Sequence, residues 1–357
     1  MKELRKCFTR QPDENLNIIN HKMKKNIAII AGGDSSEHGV SMRSAEGIMS
    51  FMDKDKYNCY IVEMSGDLWE VHYGDERCPV NKADFTFAAT SGQHAFHVAF
   101  FTIHGAPGED GILQGYLDMI GMPYSTGGVL VEALTINKYA LNTFLRALPE
   151  VNVSDSIMVR RGEALPDAAA TVERLGLPCF VKPNAGGSSF GVTKVKQTED
   201  LLPAIEKAMN ESDEVMVERM MSGTEITCGC YRKGNDIITF PITEVVTTQE
   251  FFDYDAKYNG KVEEITPARI APATAQRVSE MTRRIYQVLG CYGIIRIDYI
   301  LSGTPGNEQI NLLEINTTPG MTTTSFIPHQ VRAAGIDIKD VLSDIIEGKC
   351  CLLINPE

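Results

Sequence analysis

Two apolar stretches near the C-terminus carry charge where a folded chain tolerates it least. GIIRIDYIL (293–301) and QINLLEIN (309–316) flank the turn-rich SGTPGNE and read as a β-hairpin. Strand side chains alternate faces, so Arg296 and Asp298 share one face, and Glu314 and Asn316 share one face of the partner strand. Their neighbours are mostly Ile, Leu and Tyr, and carboxylates buried there without a partner would be costly. Something cationic has to sit between them. Asp, Glu and an Asn carbonyl are hard oxygen ligands that suit Mg²⁺ or Mn²⁺, and magnesium commonly joins such carboxylates to phosphates. The bland alternative is a cross-strand Arg296–Glu314 salt bridge with Asp298 at a solvated edge. Three oxygen ligands and an arginine at alternating positions favour the metal.

A second segment fits the same chemistry. PCFVKPNAGGSSFGVTKV holds a Gly/Ser-rich loop between β-like runs at 179–182 and 191–195. Its backbone N–H groups and the Ser188 and Ser189 hydroxyls can meet phosphate oxygens. The segment is not a Walker A loop, because no G-K-[ST] opens a helix. Many hairpins carry Gly and Ser merely to turn, but Lys182 ends the first run and can set its ammonium against a phosphate.

The rest of the chain supplies a frame. The short apolar run 27–31 stops at Gly32-Gly33-Asp34 and precedes a helical pattern with Val40, Met42, Ala45, Ile48, Met49 and Met52 on one face. Further strands are expected at 60–64 and 98–103, and a helix at 113–119, making one β/α unit that ends near 127. The turn GDSSEHG does not match G-x-G-x-x-G, and from spacing alone Glu37 does no more than favour the helix dipole. One helix is expected over about 130–148. A long one starts at Pro272, with Val278, Met281, Ile285 and Val288 inward and Gly290 as its stop. Cys228 and Cys230, two apart in a strand, read as core.

Composition narrows the function. Lys and Arg number 34 against 47 Asp and Glu, a net charge of −13, which argues against a nucleic-acid partner. Any anionic ligand must then be held by a local island of positive charge. The nine cysteines show no C-x-x-C, and the seven histidines no metal spacing. No apolar run approaches a membrane span. Residues 1–22 are polar and of mixed charge, without a signal peptide's apolar middle, and read as a loose extension before Met23. A cytoplasmic location is expected.

In their order and spacing, AGGDSSEHGVS, HGAPGEDGILQGYLDMIGMPY, VKPNAGGSSFGV, FDYDAKY, and RID followed by LLEINTTPGMT resemble the D-alanine–D-alanine ligases of the ATP-grasp superfamily. The resemblance runs from about Met23 to Asp340. It implies an α/β (α+β) chain with the ATP-grasp fold and an N-terminal Rossmann-like α/β domain. The expected division is 23–127, a central ATP-grasp subdomain over 128–222 and a C-terminal domain with the metal site over 223–357. It implies ligation of two D-alanine molecules through an acyl phosphate for peptidoglycan synthesis, with ATP as substrate, two Mg²⁺ or Mn²⁺ ions, and a homodimer.

The site residues follow from the same likeness. Asp298, Glu314 and Asn316 match the metal ligands. Lys138 and Lys182 match lysines that reach ATP phosphates, and Lys257 the one at the transferred phosphoryl group. Glu218 and Glu225 match the adenine- and ribose-contacting acids. Arg296 and the backbone of Gly320 match the oxyanion stabilisers. Glu37 matches the acid that holds the first D-alanine's ammonium, displacing the helix-dipole reading; Ser188 and Tyr258 match its hydrogen-bonded partners. Ser325 matches the residue binding the second substrate's carboxylate, and His104 a histidine near the first substrate. Three departures stand out: Gly186 where many relatives have an acid, ERMM at Glu218, and TINK around Lys138. The rivals are a D-alanine–D-lactate ligase, disfavoured by Tyr258, and a non-catalytic ATP-grasp nucleotide-binding protein, disfavoured by the retained ligands, Arg296 and Lys257.

Overall fold

The computed structural model describes residues 24–187, 190–247 and 262–354. The expected extension over 1–22 lies outside them, and so do Ser188, Lys257 and Tyr258. Strand β1 (Lys25–Gly32) is buried from Ile27 onward because both its faces are covered, which is why it reads as an unbroken apolar run. It pairs in parallel with β2 (Tyr57–Ser65) and β7 (Val98–Phe101). Beyond β2 the sheet continues as an antiparallel meander through β3 (Leu68–Tyr73), β4 (Glu76–Asn81), β5 (Thr86–Ala89) and β6 (Gly92–Ala95). The sequence reading marked none of these four. They are short and bury only alternate residues such as Val71, Cys78, Val80 and Phe87, so no sustained apolar run announces them.

Helix α1 (His38–Phe51) turns Ala45 and Ile48 onto one face of this sheet, as its spacing predicts, and Met52 just past its end joins them. Two inward positions are serines. Ser41 Oγ accepts the Gly32 N–H at 2.9 Å and Ser44 Oγ that of Met321 at 3.4 Å, so their burial is satisfied. Helix α2 (Ile112–Met119) covers the other face.

The helix expected over 130–148 is two: α3 (Val129–Ile136) and α4 (Lys138–Leu145). Asn137 leaves helical geometry at φ −85°, ψ 91°, and its side chain caps α4 by accepting the Ala140 N–H at 2.9 Å. The cap was present in the sequence as TINK, but helix-forming residues on both sides hid it.

A four-stranded sheet follows in the order β11-β10-β12-β9, from β9 (Ser156–Arg160), β10 (Cys179–Pro183), β11 (Thr193–Val195) and β12 (Glu214–Arg219). Helices α5 (Ala168–Leu175) and α6 (Leu201–Ala208) close its core over Val181, Val215 and Val217. The third sheet comprises β13 (Thr224–Lys233), β14 (Asp236–Thr239), β15 (Thr243–Thr247), β16 (Val262–Ile265), β17 (Ile294–Ser302) and β18 (Gln309–Asn316). The earlier β8 (Asn152–Val153) joins at its edge. On one side it buries α7 (Pro272–Leu289) together with α3 and α4, and Cys228 and Cys230 are core there. On the other lie α8 (Phe326–Ala333) and α9 (Ile338–Ile354). Their Ile327, Val331, Leu342 and Ile345 share a core with β1 and α1. The first and third sheets are therefore joined through a common interior, and the cavity described next opens beside that junction.

Candidate active site

In the β17–β18 hairpin Arg296 stands opposite Asn316 and Asp298 opposite Glu314, with a register shift just past Asp298. All four side chains therefore gather on one face. The cross-strand Arg296–Glu314 salt bridge considered above is not what forms. Arg296 instead grips Asp298 on its own strand, Nε to Oδ1 at 2.9 Å and Nη2 to Oδ2 at 2.8 Å. Nor is Asp298 at a solvated edge, being only 6% exposed. Asn316 Nδ2 donates to Asp298 Oδ2 at 3.1 Å. Burial alone would favour loss of the Arg296 proton, but Asp298 above all, then Glu314 and Glu225, outweigh it and hold the guanidinium charged.

The hairpin forms one wall of a cavity of about 310 Å³. Glu37, His104, Lys138, Arg296, Glu314, Asn316, Gly320 and Ser325 all line it, and they come from well-separated stretches of chain. The carboxyl end of β1 supplies the first of these. Gly32 has φ +93°, and a Cβ there would lie 2.4 Å from the Met64 carbonyl, so only glycine permits the turn that leads to Glu37. Glu37 Oε2 lies against the glycine-rich loop; a Cβ on Gly187 would approach it to 2.7 Å. Among the described residues His104 Nε2 is buried without a hydrogen-bond partner, a donor or acceptor that a substrate could complete. Ser325 Oγ accepts the Thr322 N–H at 3.1 Å and lies 3.1 Å from where a Gly320 Cβ would be, so Gly320 is kept bare beside it.

Lys138 opens α4, where its N–H is held by the Asn184 carbonyl at 3.1 Å. Its Nζ donates to the Gly186 carbonyl at 2.5 Å. Gly186 has φ +144°, a conformation that an acidic side chain would strain. Burial pulls the Lys138 pKa down, Glu314 opposes this, and Lys182 adds to it. Lys182 and Glu218 do not line the cavity. They form a buried ion pair across β10 and β12 at 2.6 Å. Glu225 lies on β13 near the Arg296 charge.

Sequence reasoning missed several residues. Glu109 and Glu264 line the cavity, Glu132 lies buried behind it, and Asn184 anchors α4. Glu109 and Asn184 sat inside quoted segments but had no spacing partner to single them out.

Comparison with known proteins extends the likeness. A family model described as D-ala D-ala ligase N-terminus matches residues 26–127, and one described as D-ala D-ala ligase C-terminus matches 147–347. The chain is 60% identical over 328 residues to a D-alanine–D-alanine ligase of Bacteroides fragilis, covering 92% of this chain and 100% of that protein. With that of Porphyromonas gingivalis the identity is 52% over 328 residues, covering 91% and 98%. Among solved structures, D-alanyl-alanine synthetase A of Vibrio cholerae superposes with a TM-score of 0.81 at 25% identity, covering 92% and 99%. The VanG D-Ala:D-Ser ligase of Enterococcus faecalis gives 0.78 at 29%, covering 91% and 99%. The shared fold thus serves more than one second substrate, whereas both family models and the relatives of higher identity carry one name. The chain is an enzyme of the ATP-grasp fold and belongs to the D-alanine–D-alanine ligase family.

Proposed function

We propose that this cavity is where the chain joins two D-alanine molecules at the expense of ATP. The observation that carries the reading is convergence: eight residues expected from separate motifs line one cavity. The first D-alanine's carboxylate attacks the γ-phosphate, giving an acyl phosphate and ADP. The amine of the second then attacks the acyl carbon, and phosphate leaves the tetrahedral intermediate.

Glu37 holds the first ammonium, and His104, which lines the same cavity, assists. Arg296, held rigid by its fork on Asp298, and the Gly320 N–H stabilise the oxyanion, where preorganised donors count most. Ser325 takes the second carboxylate. Lys138 and Lys182 serve the phosphates, and Glu218 and Glu225 the adenosine. Ser188, Lys257 and Tyr258 retain the roles implied by resemblance, outside the described residues.

Among the described residues no group of three or more His, Cys, Asp or Glu gathers as a metal cluster. The donor set nonetheless fits Mg²⁺ or Mn²⁺: Asp298 and Glu314 face each other, and Asn316 turns its N–H₂ to Asp298, leaving its carbonyl end for a cation. When bound, such ions neutralise phosphate charge during transfer.

We also propose a homodimer, to which the exposed Ile112, Met119 and Leu130 on the adjoining α2 and α3 would contribute. The three-part division near 127 and 222 and a cytoplasmic location belong to the same reading. No helix among the described residues is long and apolar enough to cross a membrane.

The test is phosphate release from ATP and Mg²⁺ with D-alanine alone and with D-lactate added. Dipeptide formation is expected near neutral pH. Preferential depsipeptide formation there would reject the assignment, and no phosphate release would point to a nucleotide-binding protein without catalysis.

A further inference from the structure

Asn316 and Gly320 stand at the two ends of one short segment, Thr317-Thr318-Pro319, which is held from behind by a carboxyl group that does not line the cavity. Glu132, on α3, is 0% exposed. The Thr317 hydroxyl donates to its Oε2. Its Oε1 has no side-chain partner among the described residues and lies against Gly127, where a Cβ would come within 3.0 Å and whose backbone N–H favours the charged carboxylate. Thr318 is held as well: its N–H donates to Glu109 Oε1 at 3.3 Å, and its hydroxyl to the Ile103 carbonyl at 2.9 Å.

An acid is an expensive choice for a fully buried helical position. Burial pushes the Glu132 pKa well up, and the Thr317 hydrogen bond only partly opposes this. Its place in the first turn of α3 suits an acid, but the helix dipole asks only for proximity to the N-terminus and not for full burial. Val131 packs in the core, and Thr135 donates to the helix's own Val131 carbonyl at 2.8 Å. Among the described residues, the side chain that hydrogen-bonds the acid is Thr317.

We infer that Glu132 is a positioning residue for the ligation: by holding the Thr317 hydroxyl it sets the course of the backbone between Asn316 and Gly320. This rests on the roles proposed above for those two residues. A misplacement of about 1 Å at a reacting centre can cost on the order of a hundredfold in rate. Because the Gly320 N–H is used most in the transition state, the loss belongs in kcat.

The experiment uses the full chain with ATP, Mg²⁺ and D-alanine. Glu132→Ala and Thr317→Val should each lower kcat about 10- to 100-fold, with KM for D-alanine within about threefold. Their combination should be no slower than the slower single variant, since both remove one contact. Glu132→Gln and Thr317→Ser, which keep the acceptor and the donor, should hold kcat within about threefold. The inference is overturned if Thr317→Val turns over normally, or if Glu132→Gln is as slow as Glu132→Ala. It is also overturned if kcat and KM move together in step with lost thermal stability. Should Glu132→Ala not fold, the Thr317→Val and Thr317→Ser pair decides alone. Asn316→Ala separates the two layers. If it keeps full turnover, the role proposed for Asn316 fails; if it loses turnover while Thr317→Val does not, only the positioning role fails.

Discussion

Arg296 and Asp298, two residues apart on one strand, are joined by a fork of two hydrogen bonds at 2.9 and 2.8 Å, and their side chains are only 14% and 8% exposed. One carboxylate thus orients the arginine while facing Glu314 across the hairpin. Asp298→Asn removes the charge and one acceptor, and should lower phosphate release at least about a hundredfold. Arg296→Lys cannot remake the fork and should be similarly impaired. Undiminished turnover in Asp298→Asn would reject both the metal role and the orienting role.

The Lys182–Glu218 pair is buried on both sides, at 11% and 7% side-chain exposure. Removing one member leaves an uncompensated charge, so Glu218→Ala should lose about 3–5 kcal/mol of stability in denaturant unfolding. The double variant Lys182→Met/Glu218→Leu should recover most of that loss yet bind ATP weakly in titration. A Glu218→Ala protein as stable as the parent would contradict this.

Gly47 lies inside α1, where alanine would ordinarily stabilise a helix by about 1 kcal/mol. Here its Cβ would sit 2.2 Å from the Met321 carbonyl, one residue past Gly320. Gly47→Ala should therefore lower both the melting temperature and kcat. Gly115 in α2 is the control, because its Cβ would make an ordinary 3.6 Å contact with Val129. Gly115→Ala should leave turnover unchanged and the melting temperature equal or higher; equal behaviour of the two variants would exclude the close approach as the cause.

Glu244 is 8% exposed and accepts two side-chain hydrogen bonds from Arg269 at 2.9 and 2.7 Å. These bonds, against an opposing effect of burial, hold its pKa below the ordinary value of 4.5. A lowered carboxyl contributes stability above its unfolded pKa and loses it as pH falls through its folded one. Glu244→Gln should be less stable than the parent at pH 7, and the difference should close below about pH 4. Urea unfolding from pH 7 to pH 3 measures it, and a gap that persists at pH 3 would assign the effect to packing.

Much of the site was legible because charged residues in apolar strands, and glycines just after a lysine-bearing strand end, are rare enough to carry meaning. The partner of Arg296 was not legible. A same-strand fork and a cross-strand bridge need the same residues, and the choice depends on register and on the irregularity just past Asp298. Asn137 was hidden for a related reason, since a cap between two apolar helices leaves their periodicity nearly intact. Glu132 gave no signal at all. An acid in VLVEAL reads as a solvent-facing position until α3 is seen packed against the third sheet.

Part of the local order was settled by the sequence alone. It determined the hairpin and its four polar side chains, the turn after β1, the proline start and glycine stop of α7, and the motif series that marks the family. Covalent geometry sets spacing within an element, so those relations survive without a fold. Tertiary structure decided which elements meet: Glu37 with Gly187, Lys138 with Gly186, Lys182 with Glu218, and Glu132 with Thr317. These pairs lie on different elements, and their distances follow from how the apolar cores pack, which no local pattern encodes.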